Sequence, residues 1–330
     1  MKTIAVLLLC VLPWSAMSQQ LPSWSSYYET GFVWNPALTA RWNATELSLT
    51  HRQDWMGFDD APKYSNVSFQ YPFIRGVYLE TKAAIGGFIE RDVVGPIQKI
   101  SGALTYNYRF RPQFLGNRRD VLGIGIVANY GWYQVDLSRA KAYDESTLTI
   151  DLSEDSRKGV PNVGVGAFYI SVSDREAYTK SHYYMGLSLN QLIPNKLAEF
   201  NSQGAATGLS AIQSSLHATM HLGYRSVPVR AGYFIEPNLM FIYSLKKGIH
   251  AMASFKYEMI DTFWASAGVS TAKEAYGQLG YIFDRNSILQ DIVLDGALRV
   301  GLKVSYNLGS FRVISGTGVE FYAAYVFEMR

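Results

Sequence analysis

The sequence contains one cysteine and few charged residues, and both shortages limit what the chain can do. Charged residues make up 17% of 330 positions, and the net charge is +3. A balance this small and scattered gives no argument for nucleic-acid binding. Cys10 lies near the start, so the chain beyond residue 18 has no thiol for a disulfide or for a thiolate metal site.

Long apolar runs are also missing. Beyond residue 18 no apolar run approaches the ~18 residues that a membrane-spanning helix needs, which excludes a helical membrane protein. The start of the chain is different, because Lys2 precedes an apolar run at residues 4–12 and Ala16 and Ser18 supply small residues. Residues 1–18 are therefore predicted to be a secretory signal that is removed.

Aromatic residues and glycine are abundant. The chain has 23 Tyr, 17 Phe, 7 Trp and 28 Gly, with a mean hydropathy of −0.01. A transmembrane β-barrel combines interfacial aromatics with strands whose hydrophobicity alternates, so its average hydropathy stays low. In a soluble all-β sandwich, apolar and polar residues would alternate as regularly. The predicted signal and the aromatic residues at the ends of the alternating segments favour the outer membrane instead.

Three segments show the alternation most clearly: residues 100–111, 214–225 and 297–307. In the first, Leu104, Tyr106 and Tyr108 share one face, whereas Thr105 and Arg109 share the other. The period of two predicts strands with one lipid-facing and one lumen-facing row. The predicted lumen rows are polar and include Arg109, His217, Arg225, Arg299, Lys303 and Glu320.

The same pattern predicts about fourteen antiparallel strands in one barrel at 44–330, preceded by a plug-like segment at 19–43. The predicted strands are 44–52, 65–73, 82–91, 99–111, 120–136, 160–172, 182–190, 213–226, 228–243, 249–259, 262–271, 275–284, 296–307 and 317–328. An even count suits a bacterial barrel, with the last strand closing against the first. The two longest connections, 137–161 and 191–212, are predicted to face outward.

Two motifs flank the first predicted strand. Asn35-Pro36-Ala37 precedes it, and Arg52-Gln53-Asp54-Trp55-Met56-Gly57-Phe58 follows it, with Ala61-Pro62 just beyond. Together with Tyr27 or Tyr28, this arrangement resembles the opening of the PorP/SprF family of outer-membrane proteins from the type IX secretion and gliding systems. Asp54 stands between Gln53 and Trp55, which are adjacent in the family pattern.

The resemblance implies a non-enzymatic outer-membrane barrel, with neither cofactor nor metal, that works in type IX secretion or in anchoring an adhesin. The expected partners are outer-membrane lipid, a periplasmic peptidoglycan-binding lipoprotein or the secretion core, and the C-terminal domain of a secreted protein. The sequence does not choose between a general secretion component and a dedicated adhesin anchor.

Two groups of residues are candidate functional sites. The outward loop after the first strand is predicted to bind a partner or to plug the lumen, because large apolar residues in a water-facing loop are costly otherwise. Its residues are Arg52, Gln53, Asp54, Trp55, Met56, Gly57, Phe58 and Pro62. The N-terminal motif of Tyr27, Asn35, Pro36 and Ala37 is predicted to form a rigid segment tucked into the barrel mouth.

Three other functions are weaker predictions. Asn35-Pro36-Ala37 also occurs in barrels that resemble the FadL family, so a transporter of hydrophobic molecules is the main alternative. Ser215 and His217 could belong to an outer-membrane hydrolase, although no flanking motif supports one. His217 and His221 lie about 13 Å apart on a strand, too far for one metal ion.

Overall fold

A computed structural model describes residues 27–58, 60–75, 80–112, 120–135, 156–173, 176–177, 179–200, 210–213, 215–245, 248–284, 296–309 and 316–327. These form a closed antiparallel barrel of fourteen strands and a separate two-stranded hairpin. The barrel strands are β1 (Thr45–Gln53), β2 (Lys63–Arg75), β3 (Glu80–Val94), β4 (Ile97–Phe110), β5 (Val121–Val135), β6 (Ser156–Ile170), β7 (His182–Asn190), β10 (His217–Arg225), β11 (Tyr233–Ser244), β12 (Gly248–Met259), β13 (Phe263–Ser270), β14 (Glu274–Phe283), β15 (Gly296–Asn307) and β16 (Thr317–Phe327). The hairpin consists of β8 (Lys196–Phe200) and β9 (Ser210–Gln213).

The strands pair in chain order, and the last pairs with the first. β1 lies antiparallel to β16 from Thr45 opposite Phe327 to Gln53 opposite Val319. This closure confirms the predicted barrel and satisfies the backbone groups of both edge strands, as a membrane interior requires. No helix among the described residues is long and apolar enough to cross a membrane.

Each predicted strand corresponds to one strand of the barrel. The largest shift is at β11, which begins at Tyr233 rather than 228. The hairpin of β8 and β9 was not predicted, and it lies inside the long connection after β7. Its strands are short and pair only with each other, so they lack the extended alternation from which the others were recognised.

The side chains alternate as the sequence indicated. On β1, Leu47 and Leu49 are exposed on the outer wall, whereas Glu46, Ser48 and Thr50 are buried inside. Inward-facing Arg109, Arg225, Lys303 and Glu320 are likewise buried. The barrel therefore presents an apolar surface to lipid and encloses a polar, charged interior.

The two ends of the barrel differ. The longest intervals between barrel strands, residues 136–155 and 191–216, follow β5 and β7, which end at the same end of the barrel, and we call it the outward end. The other end, which we call the periplasmic end, carries a girdle of neighbouring aromatic pairs: Tyr71 with Phe73, Tyr108 with Phe110, Tyr281 with Phe283, and Tyr325 with Phe327. Aromatic girdles mark the boundary between hydrocarbon and headgroups, so these pairs set the depth of the barrel in the membrane.

Candidate functional site: a filled lumen below an exposed outward loop

The residues before β1, numbers 27–44, lie inside the barrel, and we call them the N-terminal segment. It contains a short helix α1 (Gly31–Trp34) and a single 3-10 turn (Pro36–Leu38). The predicted signal at residues 1–18 and the rest of the predicted plug up to residue 26 lie outside the described residues. Within the described part, the predicted placement of the motif in the barrel agrees with the structure.

Asn35 connects the N-terminal segment to the barrel wall. Its Nδ2 donates to the carbonyl oxygens of Ala167 on β6 (3.1 Å) and Leu187 on β7 (3.3 Å). Its Oδ1 accepts from the Ala37 amide (3.0 Å), which caps the 3-10 turn that Pro36 begins. Because Asn35 is 0% exposed, these bonds are shielded from water. The motif is thus a capped turn fixed across two strands.

Glycines on the wall make room for this turn. A Cβ atom at Gly125 on β5 would overlap backbone atoms of Pro36 and Ala37, and one at Gly166 on β6 would overlap the Asn35 side chain. The glycines of β5 and β6 therefore permit close approach of the segment to the wall.

Side chains of β2 and β4 bind the backbone at the other end of the turn. Asn107 Nδ2 donates to the carbonyl of Ala37 (2.8 Å), and Arg109 Nη2 donates to those of Thr39 (2.8 Å) and Ala40 (2.6 Å). Gln70 Oε1 accepts from the Ala40 amide at 2.7 Å. These wall residues on β2 and β4 satisfy backbone groups that would otherwise be buried without partners.

A buried charged cluster holds the start of the segment. Arg225 Nε donates to Glu236 at 2.7 Å, and both the Tyr28 and the Tyr184 hydroxyls donate to Glu236. Arg225 Nη2 lies 2.6 Å from the Tyr28 hydroxyl. Burial raises the pKa of Tyr28 well above its ordinary value, so the hydroxyl stays a donor to the carboxylate.

Glu29 enters a second cluster beside the first, since Lys256 lies opposite Glu236 in the register of β11 and β12. Lys256 lies between Glu29 (3.4 Å) and Glu258 (3.0 Å), and Arg299 pairs with Glu258 at 2.7 Å. Burial raises the pKa of Glu29, and the attraction of Lys256 opposes that shift without cancelling it. Ionisation of Glu29 thus opposes docking even though Lys256 is near, and apolar contacts such as Phe32 against Phe88 hold this part of the segment.

Tyr27 completes the attachment. Its hydroxyl lies 3.0 Å from Ser254 Oγ, and its ring stacks on His221 with the centroids 5.6 Å apart. Between the segment and the wall a cavity of about 30 Å³ remains. That volume suits one or two water molecules. Among the described residues, the lumen is filled rather than open.

A third charged cluster lies at the outward end of the lumen. Arg52 Nη2 lies 2.7 Å from Asp54 and 2.8 Å from Glu274, and Arg52 Nη1 lies 3.6 Å from Glu320. Lys303 pairs with Glu320. Arg52 and Asp54 of the predicted loop site thus point inward, where they fix the start of the loop to β14 and β16.

The rest of the loop turns outward. The side chains of Met56 and Phe58 are 51% and 45% exposed, and Trp55 is half-buried. The loop backbone is nevertheless fixed, since the Asp54 amide donates to Pro62 O and the Met56 amide to Thr317 O, both at 3.0 Å. Trp55 and Gly57 both have positive φ, which makes the sharp turn. Gln53 ends β1 opposite Lys63.

The histidines of β10 lie on the strand, as the alternation predicted. Ser215 Oγ lies 3.5 Å from His217 Nε2 and 3.0 Å from Ser244 Oγ, which is loose geometry for an activated nucleophile. Among the described residues, no group of three or more His, Cys, Asp or Glu is placed to hold a metal ion.

Several residues that build the site were not singled out from the sequence. Glu236, Ser188 and Asn107 bind the N-terminal segment from strands far along the chain. The sequence distinguishes each of them only as a polar residue that is predicted to face the lumen. Partners separated by 70 to 208 residues cannot be matched by local periodicity.

Comparison with known proteins gives a family and a shared architecture. Residues 16–325 match the family model described as type IX secretion system membrane protein PorP/SprF. Among curated proteins none matches the sequence. Similar solved structures include the CymD monoaromatic hydrocarbon channel (10% identity, 91% of this chain and 93% of that chain, TM-score 0.52). The Ralstonia pickettii toluene transporter TbuX is similar as well, with 10% identity, 91% of this chain and 93% of that chain covered, and a TM-score of 0.51. A FadL homologue from Pseudomonas aeruginosa matches at 10% identity over 90% and 93%, with a TM-score of 0.50.

Proposed function

The chain belongs to the PorP/SprF family of type IX secretion membrane proteins, and from this premise we propose that its outward loop docks the C-terminal domain of a secreted protein at the cell surface. Family and fold are of a non-enzymatic secretion or transport kind. On the periplasmic side, the proposed partner is a peptidoglycan-binding lipoprotein or the secretion core.

The observation that carries the proposal is that the loop has an inward-facing, fixed part and an exposed, apolar part. Arg52 and Asp54 are fixed in the charged cluster, whereas Met56 and Phe58 stand exposed beside them. Exposed apolar side chains on a fixed backbone are typical of interface anchors, because binding then orders little of the loop. Below them the N-terminal segment fills the lumen, so the outward end presents a supported surface for a partner.

A transporter of hydrophobic molecules is the second candidate. The observation that favours it is the small cavity beside the segment, which is partly lined by apolar Phe32, Leu38 and Leu222. Transport would require the segment to move, because its present contacts leave space only for water. Charged residues such as Arg225 and Lys256 inside the lumen favour docking over passage of an apolar molecule.

The test is affinity purification of the tagged protein from native outer membranes, with every bound protein and lipid identified. Burying Met56 and Phe58 would contribute roughly 1.5–3 kcal/mol each. The double change Met56→Ser and Phe58→Ser should therefore release the C-terminal domain of a secreted client and leave the periplasmic partner bound. Leu245→Ser, at an exposed apolar position of another outward connection, is the matched control and should release neither.

Arg52→Met provides a second variant. It leaves Asp54, Glu274 and Glu320 without their shared cation, so the loop backbone should loosen and client binding should fall although Met56 and Phe58 are intact. If the client stays bound when both apolar anchors are replaced, the docking proposal is wrong. If the barrel purifies without protein partners but with a hydrophobic small molecule, the transporter is correct.

A further inference from the structure

Two cations lie on the lipid-facing side of the barrel wall near its outward end. Lys63 begins β2 and Arg91 lies close to the end of β3, and both side chains are exposed. Their chain neighbours Tyr64 and Glu90 are buried on the lumen side. A charged side chain on the lipid face is destabilising at the middle of a bilayer and is tolerated only near the interface. The two cations are therefore expected at headgroup depth.

The length of β3 places Arg91 close to the outward boundary of the membrane. Ala83 pairs with Tyr108 of the periplasmic girdle, and Arg91 follows Ala83 by eight residues. That length is about 27 Å at ~3.4 Å per residue, and a tilt of ~40° converts it into about 21 Å of depth in an apolar band ~25 Å tall. Two strands away in register, the exposed ring of Trp132 packs edge-on against Tyr130, with the centroids 4.7 Å apart. Such exposed rings mark the outward interface, so the Arg91 guanidinium lies at headgroup level.

Uncharged polar side chains surround the two cations. His51 Nδ1 lies 2.9 Å from Ser65 Oγ, and Arg91 Nη2 lies 3.5 Å from Gln98 Oε1. Ser65 pairs with Arg91, and Lys63 precedes Ser65 by two residues, so the two cations are diagonal neighbours with Cα atoms about 7–8 Å apart. Two long cationic side chains at that spacing can bind one phosphate group together. We call these residues the outer basic patch: His51, Lys63, Ser65, Arg91 and Gln98.

The carboxylates nearest to the outer basic patch do not share its face of the wall. Glu90 is buried in the lumen, where it binds Lys99 and Ser101, and Asp92 alternates to the same side of β3. Asp60 belongs to the outward loop rather than to a strand. The described residues of β1, β2 and β4 place no carboxylate on the lipid-facing side. The patch therefore presents positive charge to the membrane.

An apolar groove begins next to the patch, toward the middle of the membrane. We call it the outer groove, and its volume is about 1060 Å³. Pockets of ~300–1,000 Å³ hold small ligands in other proteins. Val67 and Ile89 line its outward edge, each two residues from a member of the patch. Gly102 forms part of its floor, and a Cβ atom there would meet nothing within 4 Å, so the floor is open toward the lipid.

We propose that this wall binds one lipid A molecule of the outer leaflet, with a phosphate of its sugar headgroup between Lys63 and Arg91 and an acyl chain in the outer groove. Charge and depth together select this occupant. The cations suit a phosphate at the outward interface, and the groove continues from them to the depth of the acyl chains. A second copy of the barrel seated here about a two-fold axis would bring like charges together. The exposed tip of the outward loop takes no part, so the site is independent of the proposed docking.

Native mass spectrometry of the whole protein in detergent, titrated with bisphosphorylated lipid A, tests the site. Lys63→Gln with Arg91→Gln should weaken retention about 30-fold, since two interfacial cations are lost. Gly102→Trp keeps both cations and fills the floor of the groove, so it should also weaken retention. Lys180→Gln with Arg230→Gln is the matched control, because both are exposed cations on periplasmic-end turns, and it should change nothing.

A second arm distinguishes the lipid from free phosphate. The unsubstituted protein should retain lipid A that lacks both phosphates as weakly as the Lys63→Gln, Arg91→Gln variant retains intact lipid A. Inorganic phosphate at the same concentration should not displace lipid A.

Four results would overturn the proposal. The first is equal retention of lipid A by the Lys63→Gln, Arg91→Gln variant and by the periplasmic-end control, and the second is equal retention of lipid A with and without its phosphates. The third is unchanged retention by Gly102→Trp, and the fourth is displacement of lipid A by inorganic phosphate, which would leave a simple anion site. Each variant is first checked for the heat-modifiable migration of a folded barrel. Arg91→Gln alone, or Gly102→Leu, serves where the larger change fails to fold.

Discussion

Replacing Asn35 by alanine should release the N-terminal segment while leaving the barrel closed. The change removes two donors to strand carbonyls and the cap on the 3-10 turn. It leaves the ladder between β6 and β7 intact, because that ladder is backbone to backbone. The perturbation is thus confined to the attachment of the segment.

The size of the effect follows from the three bonds. A lost cap costs about 1 kcal/mol, and each lost side-chain hydrogen bond about 1 kcal/mol more. A total of about 3 kcal/mol corresponds to roughly a hundredfold increase in the population of the detached segment. The barrel itself keeps all fourteen strands, so its thermal unfolding should change far less.

Hydrogen exchange of peptides from residues 27–44, measured by mass spectrometry, reports the detached population directly. Conductance across a planar bilayer provides a second readout, since a detached segment opens the lumen. Asn195→Ala is the control: Asn195 also donates to two carbonyls, those of Pro161 (2.9 Å) and Ile193 (3.1 Å), but in an outward connection. Equal exchange in residues 27–44 of the two variants would refute the role assigned to Asn35.

Two further predictions concern the same segment. Gly125→Ala should destabilise its docked state, because the new methyl group overlaps the backbone of Pro36, whereas Gly277→Ala should be neutral because its Cβ would meet nothing within 4 Å; hydrogen exchange of residues 27–44 in both variants checks this. Burial raises the pKa of Glu29 above 4.5, so its contribution to docking is complete below pH 4.5 and is lost as pH rises through the raised value. The protection factors of the segment, which compare its exchange with the intrinsic rate at the same pH, should therefore be higher at pH 5 than at pH 7.5, and Glu29→Gln should remove that difference; an unchanged pH dependence of the protection factors in that variant would contradict the assignment.

The strands and their facing could be predicted from the sequence because both are local properties. Alternation such as Leu47 and Leu49 against Ser48 and Thr50 needs only neighbouring residues, and a strand exposed to lipid on one side displays it clearly. The closure of β1 on β16 then followed from the need to satisfy both edges.

The contacts of the lumen could not be predicted in the same way. The sequence indicated that Asn35 and Arg52 matter, but their partners, among them Ala167 and Glu274, come from strands more than 130 residues away. The outer groove, lined by the small residues Gly87, Gly102 and Ala128, was equally unpredictable, because a glycine such as Gly102 on the lipid face preserves the alternation that identifies the strand. Shape on the outer wall depends on which small residues become neighbours, and register decides that.

The loop motif has two physical roles, and separating them explains why its residues differ so much in chemistry. Arg52 is buried among carboxylates, an arrangement that costs desolvation and is repaid only if all partners stay in place. Such a cluster adds little net stability, but it fixes one arrangement of the adjoining backbone. Met56 and Phe58 depend on that fixed backbone, since an apolar side chain on a loose loop would lose conformational entropy when it bound. A change at Arg52 should therefore weaken partner binding through the position of the loop, whereas a change at Phe58 should weaken it by removing the contact itself.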